Sequence, residues 1–134
     1  MWFLKSLRTF FCGIIILRNG GVNMEHSMRL RDKVFALVKN GSKTIELRLY
    51  DEKRKLVKVG DFINFKNINT EEIVKVVVKE INVYDNFEEL YKYYDKKLMG
   101  YSEDDIASPS DMNKYYSDDE QIKYGVVAII FELV

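Results

Sequence analysis

The sequence predicts an α+β fold: a small mixed β-barrel of about five strands with flanking helices. Three observations carry this. Alternating or Val- and Ile-rich segments recur at residues 43–50, 62–65, 73–84 and 126–133, after a short extended start. Helix-start signals at Asp32, Asn86, Ser108 and Ser117 interrupt them. Consecutive helices after the long 73–84 segment argue against a doubly wound parallel sheet, in which strands and helices alternate.

The elements follow in chain order. "MEHSMRLRD" opens in extended form, and Asp32 is placed to cap a helix over 33–40 with Val34, Phe35, Leu37 and Val38 on one face. Asn40-Gly41 ends that helix. Strand 43–50 leads into the charged connection "DEKRKLVKVGD", and "FINF" at 62–65 alternates as a strand does. "IVKVVVKEINVY" at 73–84 has the strongest strand character in the chain. Asn86 is placed to cap "FEELYKYYD", with Glu89 set for a capping box and Phe87, Leu90, Tyr91 and Tyr94 as its buried stripe. "MGYSEDDIA" reads as a loop or single turn. Ser108-Pro109 and Ser117 with Glu120 start two further helices, and Gly125 precedes a closing strand at 126–133.

Composition narrows the function. The chain has 134 residues, 47% hydrophobic and 31% charged, which suits one domain with an ordinary core. One cysteine, Cys12, and one histidine, His26, leave no disulfide framework, no His- or Cys-based metal cluster and no Ser-His-Asp triad to expect. Neither residue is assigned chemistry, no cofactor is expected, and a reducing, cytoplasmic setting fits. Residues 24–134 hold 18 Lys and Arg against 21 Asp and Glu, a net charge of −3. That balance speaks against a protein that coats DNA or RNA non-specifically, because such binding rests on many phosphate contacts. The acidic runs "SEDD" (102–105) and "SDDE" (117–120) are explained more simply by helix capping than by metal binding, and no metal site is expected.

Residues 1–23 differ from the rest. They hold Lys5, Arg8 and Arg18 and no acid, and their uninterrupted apolar piece from Thr9 to Leu17 is short of the ~20 residues a membrane span needs. A membrane anchor is therefore not expected, and Leu17-Arg18-Asn19 is a poor signal-peptide cleavage site. Gly20-Gly21 can be encoded as a bacterial ribosome-binding sequence shortly before Met24, so Met24 is expected to be the true start and 1–23 a translated leader outside the domain.

The strand "KTIELRLY" poses the functional question. Side chains alternate along a strand, so Ile45, Leu47 and Leu49 share the core face, and Thr44, Glu46, Arg48 and Tyr50 share the other. Glu46 and Arg48 are next neighbours on one face, about 7 Å apart along the strand. Such a pair can present an acceptor and a forked donor to a planar ligand. It can equally be a solvated surface ion pair worth about 1 kcal/mol at most.

The spacing Gly41-x-Lys43-x-x-Glu46-x-Arg48 resembles the GxKxxExR motif of the ASCH domain family. The preceding helix "KVFALVKNG", the segment "VGDFINF" and the closing "YGVVAIIFEL" fall where that family has them, so the resemblance covers Met24–Val134. It implies a PUA-like barrel with a cleft that binds RNA or a nucleotide-like small molecule. Lys43, Glu46 and Arg48 would line this cleft, with Lys43 and Arg48 on phosphate or carbonyl oxygen and Glu46 accepting from a base edge. Gly41 would let the backbone approach the ligand closely. A second implication is enzymatic. One branch of ASCH-like proteins resembles amidohydrolases of acetylated cytidine, but Glu46 stands here where those proteins carry a threonine. Lys43 and Glu46 would then be the catalytic pair, acting on a modified nucleoside or RNA. A third possibility is a protein–protein module with an exposed charged strand. No oligomeric state follows from the sequence.

Of nine tyrosines, Tyr50 and Tyr101 are the candidates for stacking on a base, whereas Tyr91 and Tyr94 suit helix packing. Lys53 and Arg54, in the charged run "DEKRK", are close enough to the motif strand to rim its cleft, although such runs are usually solvated turns.

Overall fold

A computed structural model describes residues 23–134, so the leader expected at 1–23 lies outside the described residues apart from Asn23. The elements run β1 (Glu25–Leu30), α1 (Asp32–Lys39), β2 (Ile45–Leu49), β3 (Phe62–Asn67), β4 (Ile73–Tyr84), α2 (Phe87–Leu90), a 3₁₀ helix (Pro109–Lys114), α3 (Asp118–Tyr124) and β5 (Val126–Leu133). The strands form one sheet in the order β1-β3-β4-β5-β2. β1 runs parallel to β3, and the other neighbours are antiparallel. The sheet curls into a half-barrel with helices on its flank, the α+β architecture expected of a PUA-like domain. A register shift between Val78 and Glu80 helps β4 bend, since an extra residue in one strand raises the local twist.

Strand alternation sorts β5 onto two cores. Val127, Ile129 and Phe131 face the barrel interior with Met28, Phe35, Val38, Ile63, Phe65, Val76 and Val78. Val126 and Ala128 face outward, under a cover made by Phe87, Leu90 and Met99. Ile45, Leu47 and Leu49 of β2 join this outer core, as the apolar stripe requires. Glu46 pairs across the sheet with Ile129, and Arg48 with Val127. Directly opposed residues share a face, so both charges point into the barrel rather than onto an open surface. Both faces of β2 are thus enclosed.

Three local expectations are corrected. Asp32 does not cap α1. Arg31 holds the N-cap position without a side-chain bond, and Asp32 accepts from Asn67 Nδ2 at 2.9 Å, tying the helix to the end of β3. The helix after Asn86 stops at Leu90 rather than running through Asp95. Asn86 caps it by accepting from the Glu89 amide, but the Glu89 carboxylate pairs with Lys92 instead of closing a capping box. Tertiary contacts override propensity beyond Leu90. The Tyr94 hydroxyl meets the Tyr84 hydroxyl at 2.7 Å and accepts from Asn82 Nδ2 at 2.9 Å, and the Tyr93 ring stacks on Tyr84. His26, assigned no chemistry from the sequence, places its Nε2 2.9 Å from Oδ2 of the fully buried Asp61, which also accepts from the amides of Met24 and Lys58. The capping boxes at Ser108 and Ser117 form in full.

Candidate functional site

The turn after α1 sets the entry into β2. Gly41 takes φ +87°, a conformation other residues rarely adopt, and the Lys43 amide donates to Leu37 O. Lys43 then leaves the turn pointing inward and is only 4% exposed. Its ammonium donates to Ile45 O at 2.6 Å and Met99 O at 2.8 Å, and lies 3.3 Å from Glu46 Oε1. Two hydrogen bonds and one ion pair thus hold the lysine ammonium. Gly100, at φ +109°, packs directly on this side chain: a Cβ there would stand 3.3 Å from Lys43 Cδ.

Glu46, 5% exposed, is held between two cations. Its Oε2 accepts from Arg48 Nε at 2.6 Å. Burial pushes the Glu46 carboxyl up, but Lys43 and Arg48 more than offset this and hold it below the ordinary carboxylate value. Burial likewise pushes the Lys43 ammonium down from the ordinary lysine value, and Glu46 restores only part of the loss. Burial also works against the Arg48 charge, yet the Glu46 carboxylate beside it leaves the guanidinium more firmly protonated than usual. Two cations and one anion leave the triad with one surplus positive charge.

Arg48 closes the seam of the half-barrel. Its Nη2 donates to Arg29 O on β1 at 3.2 Å, linking the two edge strands. Nε and Nη2 thereby use two of the five N–H donors of the guanidinium. The other three have no protein partner among the described residues. Arg54 Nε is the sole fully buried side-chain polar atom without a partner among the described residues, so the uncommitted edge of Arg48 reaches open space.

That space is a cavity of about 840 Å³ between the barrel seam, α1 and the segment 99–116. Lys43, Glu46, Arg48 and Tyr101 line it. Six basic residues line it (Arg29, Arg31, Lys33, Lys43, Arg48 and Lys114) against three acidic ones (Glu46, Asp105 and Asp111). An excess of three positive charges therefore gathers here on a domain whose net charge is −3. Tyr101 donates from its hydroxyl to Asp111 Oδ2 at 2.7 Å and meets the Tyr91 hydroxyl at 2.9 Å. Burial, reinforced by both neighbours, pushes its phenol up.

The other sequence candidates lie outside the cavity lining. Gly41 is in the preceding turn, where an added Cβ would meet nothing within 4 Å. Thr44 is tied by its backbone to Leu98 and Phe131. Tyr50 packs against the inner core with Lys55 5.7 Å above its ring. Arg54 pairs with Asp51 at 2.8 Å, and Lys53 is exposed beside it. Conversely, sequence reasoning missed Gly100, Arg29, Arg31, Asp111, Tyr115 and Tyr116. They are distant from the motif in the chain, and only the closing of the seam and the fold of 99–116 brings them to it.

A family model for the ASCH domain matches residues 28–134. This chain belongs to the ASCH domain family. That PUA-like family is proposed to bind RNA. Among solved structures, the hypothetical protein PH0355 is 35% identical at a TM-score of 0.70, over 83% of this chain and 100% of that one. Protein PF0455 from Pyrococcus furiosus is 36% identical at a TM-score of 0.60, over 83% of this chain and 98% of that one. The ASCH protein of Zymomonas mobilis shares the fold at 15% identity and a TM-score of 0.60, covering 81% of this chain and 66% of its own. No curated protein sequence matches the ASCH chain described here. No helix among the described residues is long and apolar enough to cross a membrane.

Proposed function

We propose that this ASCH domain binds RNA or a nucleotide-like ligand in the cavity beside the barrel seam, with Arg48 as the principal contact. One observation carries the reading: a largely buried guanidinium, fixed by Glu46 and Arg29 O, lines a roomy, positively charged hollow and keeps three donors without a protein partner among the described residues. Such a fork matches the paired oxygens of a phosphate or the acceptor edge of a base. Glu46 aims the fork and Lys43 fixes Glu46, so the two deeper charges position the third. The volume falls in the ~300–1,000 Å³ range of small-molecule sites.

The hydrolase reading stands second. Burial lowers the Lys43 pKa, which favours a lysine base. Against it, Lys43 already donates to two carbonyls and pairs with Glu46, so turning a free lone pair toward substrate would cost one of these contacts. Incubation with acetylated cytidine and with RNA separates the readings: a binding module turns over neither.

The test of the first reading is fluorescence anisotropy with a labelled short single-stranded RNA, titrated at low and at physiological salt. Affinity should fall with salt, as for any phosphate ligand. Arg48→Lys keeps the charge but loses the fork, and should weaken binding by about tenfold or more. Equal affinity for wild type and for a folded Arg48→Lys protein would overturn the assignment.

A further inference from the structure

We propose that the rim of the cavity holds a second subsite, built from Tyr115 and Arg31, that stacks a base next to the nucleotide held by Arg48. This rests on the nucleotide-binding reading above and narrows it: the ligand is a single-stranded RNA of at least two nucleotides, rather than a free nucleoside or mononucleotide.

A row of π groups leads from core to rim. Phe87 is buried, and Tyr116 stacks on it at 5.9 Å with 20° between the rings. Tyr115 tilts against Tyr116 at 6.3 Å, and the Arg31 guanidinium lies 5.6 Å from the Tyr115 ring centre. The row fixes Tyr115 from the inside while leaving it 51% exposed. Both Tyr115 and Arg31 line the same cavity as Arg48. A rigid, half-exposed aromatic beside a cation is the surface on which unstacked bases of single strands are held. A duplex offers no such face, because its bases already stack on one another.

The chain places Arg31 near the Arg48 contact. Arg48 touches Arg29 O, and Arg31 lies two residues further along the same chain segment, about 6.6 Å at the rise of a strand. Tyr116, the neighbour of Tyr115, lies close enough to Arg48 to influence its charge. Lys33 and Lys114 flank the rim and supply positive charge for a continuing phosphate backbone. Ile106, 91% exposed on the same rim, adds a second apolar side chain. A mononucleotide held by Arg48 would leave all of these unused.

The experiment measures affinities for adenosine monophosphate and for a single-stranded adenosine pentanucleotide by isothermal titration calorimetry. Wild type should prefer the pentanucleotide by about fivefold to a hundredfold, since a stacked base contributes about 1–3 kcal/mol. Tyr115→Ala should erase most of that preference, whereas Tyr115→Phe should keep it, because the ring rather than the hydroxyl does the stacking. Tyr115 is half exposed, so neither variant threatens the core. A length preference undiminished in Tyr115→Ala overturns the subsite. So does Arg48-dependent binding of the monophosphate with no gain for the pentanucleotide, a result that leaves the function of the cavity standing. If neither ligand binds wild type, the nucleotide reading fails and takes the subsite with it.

Discussion

Replacing Glu46 by Gln removes one charge from the buried triad and almost no volume. In the native protein its two oxygens lie 3.3 Å from Lys43 Nζ and 2.6 Å from Arg48 Nε. Glutamine keeps one acceptor oxygen but turns an N–H₂ group toward one of the cations. Two buried cations then lack a counter-ion. Breaking a buried ion pair from one side costs about 3–5 kcal/mol, set against a total of about 5–15 kcal/mol for a domain. At about 4 °C per kcal/mol for a domain near this size, Tm should fall by about 12–20 °C. The pH dependence checks the cause. Burial already holds the native Lys43 pKa below its unfolded value, and losing Glu46 removes the main influence that raises it. Between the native and unfolded pKa values the unfolded chain binds more protons, so stability rises with pH there. In Glu46→Gln that interval begins at a lower pH, and the deficit relative to wild type should shrink as pH climbs through it. Thermal unfolding followed by circular dichroism across neutral to alkaline pH reads both effects. A drop of under ~4 °C, the scale of an exposed pair, or a deficit that grows with pH, refutes the buried-triad reasoning.

Other outcomes follow from named contacts. Gly100→Ala should lose about 1–2 kcal/mol or more in urea unfolding, because φ is +109° and the new methyl presses on Lys43. Asp61→Ala should lose about 3 kcal/mol or more by the same assay, since the Met24 and Lys58 amides and His26 all use that fully buried carboxylate. Ser108→Ala should lower stability by about 1 kcal/mol, seen as a small Tm shift, through loss of the capping box on the 3₁₀ helix. Lys33→Ala and Lys114→Ala should each flatten the salt dependence of RNA affinity by about one unit of slope without altering Tm.

Sequence alone revealed the fold class because strand alternation and capping signals are local. The 73–84 and 126–133 strands match the folded elements residue for residue, and Ser108 and Ser117 cap where expected. The length of the helix after Asn86 was not legible, because tyrosine contacts from β4 decide it. Motif spacing brought Lys43, Glu46 and Arg48 forward together. It could not reveal that the face shared by Glu46 and Arg48 looks into the barrel, since alternation gives two faces but not what covers each. Nor could it reveal the cavity wall. Arg29 comes to Arg48 only through closure of the seam, and Tyr115 only through the packing of Tyr116 on Phe87. The close-approach role expected of Gly41 has its geometric counterpart at Gly100, whose sequence context, "LMGYS", carries no motif.

The central claim is that the uncommitted edge of Arg48 meets the ligand while its Nε stays on Glu46. Arginine side-chain nitrogen NMR, with single-stranded RNA titrated into labelled protein, reads this directly. The Nη signals of Arg48 should shift and sharpen as RNA is added, its Nε signal should hold its position, and Arg54, paired with Asp51 outside the cavity, should not respond. RNA that binds while the Arg48 Nη signals stay where they were would contradict the claim.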